Sequence, residues 1–347
     1  MFAPQYTITN KILTSIAKIE AAEEVIKNSP LLPLWEKQFK EDAIVRAAHH
    51  GTHIEGNKLK KDEAKDILLG KEIIGRPRDI QEIINYRKVI ELIDEEAKRK
   101  IEKITEPLIK KLHRTIVDKI LQDDSAGQYR TKQVVVKNSQ TGEVTFRPPP
   151  PIEIPYLMRD FVYWLNRSDH NQIHPVLKAG ITHHELVRIH PFIDGNGRVA
   201  RVLATLILFL GGYDIRRFFS LEEYYDRDAV IYYENLQKAS AGDLISWLEY
   251  FCFGAAVEFD KIKEKILKLS KDVKLKQKFG GQQIFLNDRQ VKIIEYLQEI
   301  GYLQNRAFPN LFSNISEDTV LRDLQDLIKK GLIKKVGSTK AARYVMV

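Results

Sequence analysis

Through most of the chain, apolar residues recur three and four positions apart, the rhythm of helices that bury one face. This pattern predicts helices over residues 9–27, 34–50, 61–69, 79–100 and 106–121, with Gly70, Gly75 and Pro77 as breaks. The rhythm resumes over 154–166, 175–189, 197–210 and 221–238, and again from Asp243 onward. Between the two blocks the period changes. Residues 132–137 are rich in β-branched side chains, Thr141-Gly142 supplies a turn, and 144–146 form a second arm. Residues 132–147 therefore read as a β-hairpin. Prolines 148–151 close it, because they neither extend a strand nor let a helix begin early. Further on, Ile262, Ile266, Leu269 and Val273 share one helical face as far as the Gly280-Gly281 break. Beyond it, helices are predicted over 288–301, 306–312 and 316–330, the last capped by Ser316, with two extended arms at 332–336 and 343–347.

The fold class is thus mainly α, and 347 residues suggest two or three domains. The longest apolar run, residues 202–210, is too short for a membrane helix, which takes about 20 residues. The first residues lack the pattern of a secretory signal. A single cysteine, Cys252, excludes an internal disulfide framework and a cysteine metal cage. These features lead us to expect a cytoplasmic protein with no membrane association. The formal charge is +8, but eight lysines against Glu264 and Asp272 place +6 of it within residues 261–278. That stretch reads as a solvated helical face or as a phosphate-attracting patch.

The chemistry concentrates in His190-Pro-Phe-Ile-Asp-Gly-Asn-Gly-Arg-Val-Ala-Arg201. Gly195-Asn196-Gly197 allows successive backbone N–H groups to converge, and a helix starting there makes an anion site. Arg198 and Arg201 lie three apart, so both guanidinium groups can meet one bound anion. Two arginines and a helix N-terminus suit a polyphosphate. Asp194 is placed to hold Mg²⁺ against phosphate oxygens. His190, titrating near neutrality, suits the removal of a proton from an attacking hydroxyl.

This segment resembles the defining motif of the Fic family, His-x-Phe-x-(Asp/Glu)-Gly-Asn-Gly-Arg-x-x-Arg, at every specified position, and the resemblance extends over about residues 34–253. It implies a protein adenylyltransferase that moves AMP from Mg·ATP to a Ser, Thr or Tyr hydroxyl of a target protein. In that reading His190 is the general base and Phe192 is structural. Asp194 holds Mg²⁺, Gly195, Asn196, Gly197 and Arg198 hold phosphates, and Arg201 receives the γ-phosphate. The hairpin resembles the family's flap, which lies over the nucleotide (Val136 and Lys137) and aligns the target as an added strand. Tyr232, Tyr233 and Leu236 resemble part of the adenine pocket.

The segment Thr52-His-Ile-Glu55-Gly-Asn57 resembles the inhibitory motif of Fic proteins whose regulatory helix precedes the core. In that pattern Glu55 would pair with Arg201 and deny it to the γ-phosphate. The family places Ser or Thr four residues before the Glu; here that position is Gly51, with Thr52 one later. His49, His50, His53, His183 and His184 are expected to be core or surface residues, since adjacent helical positions point about 100° apart and no acid sits at metal-site spacing. The end of the chain resembles a winged helix-turn-helix, a docking unit for DNA or a protein. The expected organisation is a regulatory helical region at 1–105, a catalytic core at 106–258, a basic helical linker at 259–281 and a winged helix at 282–347. Three alternatives stay open: a DNA-binding regulator with a nucleotide-sensing core, an enzyme that removes AMP, and one using another nucleotide. The oligomeric state is also open, a homodimer included.

Overall fold

Helices occupy most of the positions the apolar rhythm assigns them. The computed structural model describes residues 2–29, 33–137, 144–167, 172–213, 218–278, 286–312, 315–337 and 342–347. It divides into two compact units, Met1–Leu267 and Lys268–Val347. The chain runs through α1 (Asn10–Asn28), α2 (Pro33–His53), α3 (Lys61–Leu68), α4 (Pro77–Lys98) and α5 (Glu106–Ile116). A hairpin of β1 (Val136–Lys137) and β2 (Val144–Phe146) follows, then α6 (Ile154–Asn166), α7 (Pro175–Ile189) and α8 (Asn196–Leu210). The helices α9 (Leu221–Arg227) and α10 (Ala229–Ser240) follow, and then α11 (Leu244–Lys278), in which the boundary between the units falls.

Local chemistry explains the departures from the sequence expectations. Residues 221–238 are two helices rather than one, because the Asp228 carboxylate accepts the Ile231 N–H at 3.1 Å and starts a new helix there. Pro77 opens α4 instead of breaking the chain, a position where its missing N–H costs nothing. The hairpin arms are shorter than expected. Val136 pairs with Phe146 and Lys137 with Val144, with a register shift between them. The expected turn at Thr141-Gly142 lies outside the described residues.

The core forms around α7 and α8, which pack on each other. Residues 199–204 and 206–208 of α8 are buried, so the apolar run that is too short for a membrane is the central core helix. No described helix is long and apolar enough to cross a membrane. The helix α4 packs against α2, α5 and α8, and α2 against α9. This stacking brings the turn after α2 to the N-terminus of α8.

In the second unit α12 (Asp288–Ile300), α13 (Phe308–Leu311) and α14 (Glu317–Lys329) pack around Ile293, Leu297, Leu303, Leu324 and Leu327. A 3-10 turn at Asn305–Ala307 takes the first part of the expected second helix. Ser316 caps α14, as expected. An antiparallel wing of β3 (Ile333–Val336) and β4 (Arg343–Met346) follows. Asp323 of α14 is buried and paired with Arg289 at 2.6 Å. It is therefore not displayed on the helix surface.

Candidate active site

The α7 helix ends at His190, whose backbone is left-handed (φ 52°, ψ 57°). For a residue with a side chain this conformation costs about 1–2 kcal/mol, so the surrounding packing must hold it. Arg130 supplies part of that hold. Its guanidinium donates to the carbonyls of His190 (2.8 Å), Lys132 (3.1 Å) and Pro149 (2.6 Å), and its N–H donates to Pro191 (2.8 Å). The base of the hairpin is thereby pinned to the loop. His190 Nδ1 lies 3.3 Å from the Val187 carbonyl, which can only accept. That contact places the proton on Nδ1 and leaves Nε2 with a bare lone pair. Burial pushes the His190 pKa below the ordinary value, and the Val187 carbonyl and the carboxylates of Glu55 and Asp194 offset this only in part.

Phe192 is fully buried and stacks on His113 with centroids 3.8 Å apart and planes 3° apart. His113 Nδ1 accepts the Gly127 N–H at 2.8 Å, so its Nε2–H donates to the Asp194 carbonyl at 3.0 Å. Gly195 is left-handed (φ 78°), and α8 begins directly after it. The Asn196 side chain does not face the anion position. It closes the loop on itself, accepting from Phe192 N–H and donating to Phe192 C=O, both at 2.9 Å. Only its backbone is left for phosphate.

The charged groups interlock. Arg198, buried, donates to Glu82 of α4 at 3.2 Å and to Asp194 at 3.1 Å. Arg78 takes the other Asp194 oxygen at 2.6 Å. Burial alone would raise the Asp194 pKa, but Arg198 and Arg78 hold it below the usual carboxylate range. Arg201 is buried and donates through Nη2 to Glu55 Oε1 and to the Gly51 carbonyl, each at 2.8 Å. Burial would lower the Arg201 pKa, but the Glu55 carboxylate beside it raises it well above its ordinary value. Glu55 lies so close to α8 that a Cβ on Gly197 would stand 2.4 Å from its Oε1. The Glu55 turn is itself anchored, because Asn57 donates to the Asp79 carbonyl (2.9 Å) and to Glu82 (3.0 Å).

The expected adenine-pocket residues divide. Tyr232 is buried, shares a 2.9 Å hydrogen bond with His183 and stacks on Tyr225. It lies beneath Arg201, whose Nη1 is 3.5 Å from the Tyr232 hydroxyl, and offers no open ring face. Leu236 is also buried, whereas Tyr233 is partly exposed and donates to the Ile54 carbonyl at 3.3 Å. Val136 and Lys137 lie in β1.

The arrangement is an anion cradle at a helix N-terminus, with a histidine lone pair beside it and a carboxylate laid across its arginine. Residues 103–208 match the Fic/DOC family, and residues 289–338 match a DeoR-like helix-turn-helix domain. Residues 103–208 thus form a Fic domain. The protein adenylyltransferase Fic of Drosophila grimshawi is 34% identical over 179 residues, covering 51% of this chain and 35% of that protein. That of Nematostella vectensis is 30% identical over 241 residues, covering 67% and 52%. The chain thus spans about half or less of the length of these curated relatives. A Fic family protein from Desulfovibrio desulfuricans G20 has the same fold (TM-score 0.68, 22% identity, covering 100% of this chain and 98% of that one). A Fic domain containing signaling protein from Bacteroides thetaiotaomicron superposes with TM-score 0.61 at 26% identity, covering 76% and 97%.

Gly51 departs from the family's Ser or Thr for a steric reason. A Cβ there would fall 2.4 Å from the Tyr86 ring, which fills the space and donates to Glu222 at 2.9 Å. The Thr52 hydroxyl, one residue later, donates to the Ala48 carbonyl within α2 at 2.9 Å. Gly51→Ser is expected to destabilise the fold by about 1–3 kcal/mol, the usual cost of overpacking. Urea unfolding checks it, and an unchanged midpoint would mean that Tyr86 moves aside freely.

Acid sensitivity follows from the buried histidines. Burial pushes His113 and His184 down to about 4. The unfolded chain takes up these protons near pH 6.5, whereas the folded chain resists to about 4. Stability is therefore complete above about pH 6.5 and is lost as pH falls from there toward 4. Melting temperatures between pH 7.5 and 4.5 test this; a flat profile down to pH 5 would contradict it.

Proposed function

We propose that the protein transfers AMP from Mg·ATP to a Ser, Thr or Tyr hydroxyl of a target protein, and that Glu55 restrains it. The 2.8 Å pair between Glu55 and Arg201 is the observation that carries this reading, because it sets the inhibitory carboxylate on the motif's last arginine. The bare Nε2 of His190 accepts the proton of the attacking hydroxyl. The N–H groups at the start of α8, with Arg198 and Arg201, hold the phosphates and neutralise their charge, so positioning and electrostatics supply most of the rate. Asp194, a partly exposed carboxylate beside this cradle, is the kind of donor Mg²⁺ takes together with substrate phosphates. When bound there, the ion supplies charge neutralisation at the phosphates. Arg78 and Arg198 occupy that carboxylate in this structure, so ion and arginines compete for it. The hairpin, pinned through Arg130, offers β1 as an edge for an extended target segment.

On this reading residues 1–105 form the regulatory region, 106–258 the catalytic core, 259–281 a basic linker and 282–347 the winged helix. The deciding experiment incubates the protein with Mg²⁺ and ATP labelled at the α- or the γ-phosphate in cell lysate. Protein labelling from the α-label alone supports AMP transfer, and labelling from the γ-label alone means phosphate transfer. No labelling from either sends the search to other nucleotides or to AMP removal.

A second reading rests on the DeoR-like match: the C-terminal unit docks the chain on DNA, and the Fic core senses a nucleotide. Arg322 and Lys329 on α14 and Lys334, Lys335 and Arg343 on the wing are the cations available for phosphate contacts. A salt-dependent mobility shift of a DNA fragment by the full chain would support it.

A further inference from the structure

The last turns of α2 carry His49, His50 and His53, which the sequence alone assigns to core or surface because no acid is spaced to join them. The fold brings that acid from a distant segment. Asp226, in α9, places Oδ2 2.8 Å from His50 Nδ1 and Oδ1 2.7 Å from His53 Nδ1. No lysine or arginine among the described residues hydrogen-bonds this carboxylate, whose side chain is only 8% exposed. The His49 ring lies 4.6 Å from that of His50 and stacks on His53 at 5.5 Å. Its Nδ1 is buried and has no hydrogen-bond partner among the described residues. Ligand atoms of His49, His50 and Asp226 all fall within 4.8 Å of one another.

We propose that His49, His50 and Asp226 form a site for a divalent transition-metal ion of the Zn²⁺ class. Two imidazole nitrogens and one carboxylate are the donors such ions prefer, and they disfavour Mg²⁺ and Ca²⁺. Tetrahedral Zn²⁺ with bonds near 2.0–2.1 Å holds its donors roughly 3.4 Å apart, so the three groups close on an ion by side-chain rotation. A water or His53, already anchored to the same carboxylate, takes the fourth position. The ion would give the orphaned His49 nitrogen a partner, and buried polar atoms rarely lack one. It would also fasten the end of α2 to α9, two residues before Glu55, and so stiffen the turn that carries the inhibitory carboxylate. That link to inhibition rests on the AMP-transfer reading; the metal site does not.

Co²⁺ is the probe, titrated into chelator-treated full chain and followed by visible absorption, with Zn²⁺ as competitor. We expect one equivalent to saturate the signal and Zn²⁺ to displace it, with affinity falling at least about tenfold in Asp226→Asn and in His50→Gln. Far-UV circular dichroism confirms that each variant is folded, and His50→Gln carries the test if Asp226→Asn is not. Hydrogen exchange of amides 50–57 should slow with Zn²⁺ in the wild type and not in the variants. No saturable Co²⁺ signal in the wild type, or wild-type affinity in a folded variant, would overturn the site. None of these readouts depends on AMP transfer, so failure of the one reading is visible apart from failure of the other.

Discussion

His190→Ala is expected to abolish AMP transfer while leaving ATP binding close to wild type. General-base catalysis contributes typically 10²–10⁴-fold, and the loop's other proton acceptor, the Asp194 carboxylate, is engaged by Arg78 and Arg198. The phosphate-facing groups do not depend on the imidazole, since α8 begins at Asn196 and Arg201 is held by Gly51 and Glu55. Transfer from α-labelled ATP and ATP affinity by calorimetry should therefore separate. Retained activity would remove His190 as the base. Because its pKa lies below the usual histidine value, the neutral form prevails at pH 7, and kcat/KM should fall as pH drops through that lowered pKa. A rate that rises on acidification would contradict the general-base role of His190.

Glu55→Gly is expected to raise transfer by on the order of a hundredfold, the scale set by misplacing reacting groups by about 1 Å. The carboxylate sits over Gly197 and on Arg201, the group that the proposed function assigns to the γ-phosphate. Removing it frees the Arg201 charge for a ligand while Asn57 still ties the turn to α4. The gain should appear in kcat more than in ATP affinity. An unchanged rate with ATP well bound would take the brake out of the account.

The helices were legible because their burial is periodic, and α6 and α7 fall where that period puts them. The motif was legible because its chemistry is contiguous from His190 to Arg201. Groups that act on it from elsewhere left little trace. Arg130, Glu82 and Arg78 are charged residues at ordinary positions in helix and loop patterns, and only the packing of α4 and the hairpin base brings them to the loop. His113 is a lone histidine in an amphipathic helix, and its stack on Phe192 is a tertiary fact. At Asn196 the motif alone does not show that the side chain closes the loop on Phe192 and leaves only the backbone to face a ligand. Tyr232 likewise turns inward because Tyr225 and His183, distant in sequence, cover it.

The Arg201 guanidinium is gripped twice, by a side chain and by the main-chain oxygen of Gly51. These two grips differ in how a mutation can reach them. A carboxylate can be lost by one substitution, whereas a peptide oxygen is present whatever residue stands at 51. If Glu55 restrains transfer as proposed, a lineage that loses it keeps its arginine aimed and becomes active in one step. On the proposed function, the restraint is therefore easier to lose than the machinery it acts on, so selection against unchecked transfer should bear hardest on that single acidic position.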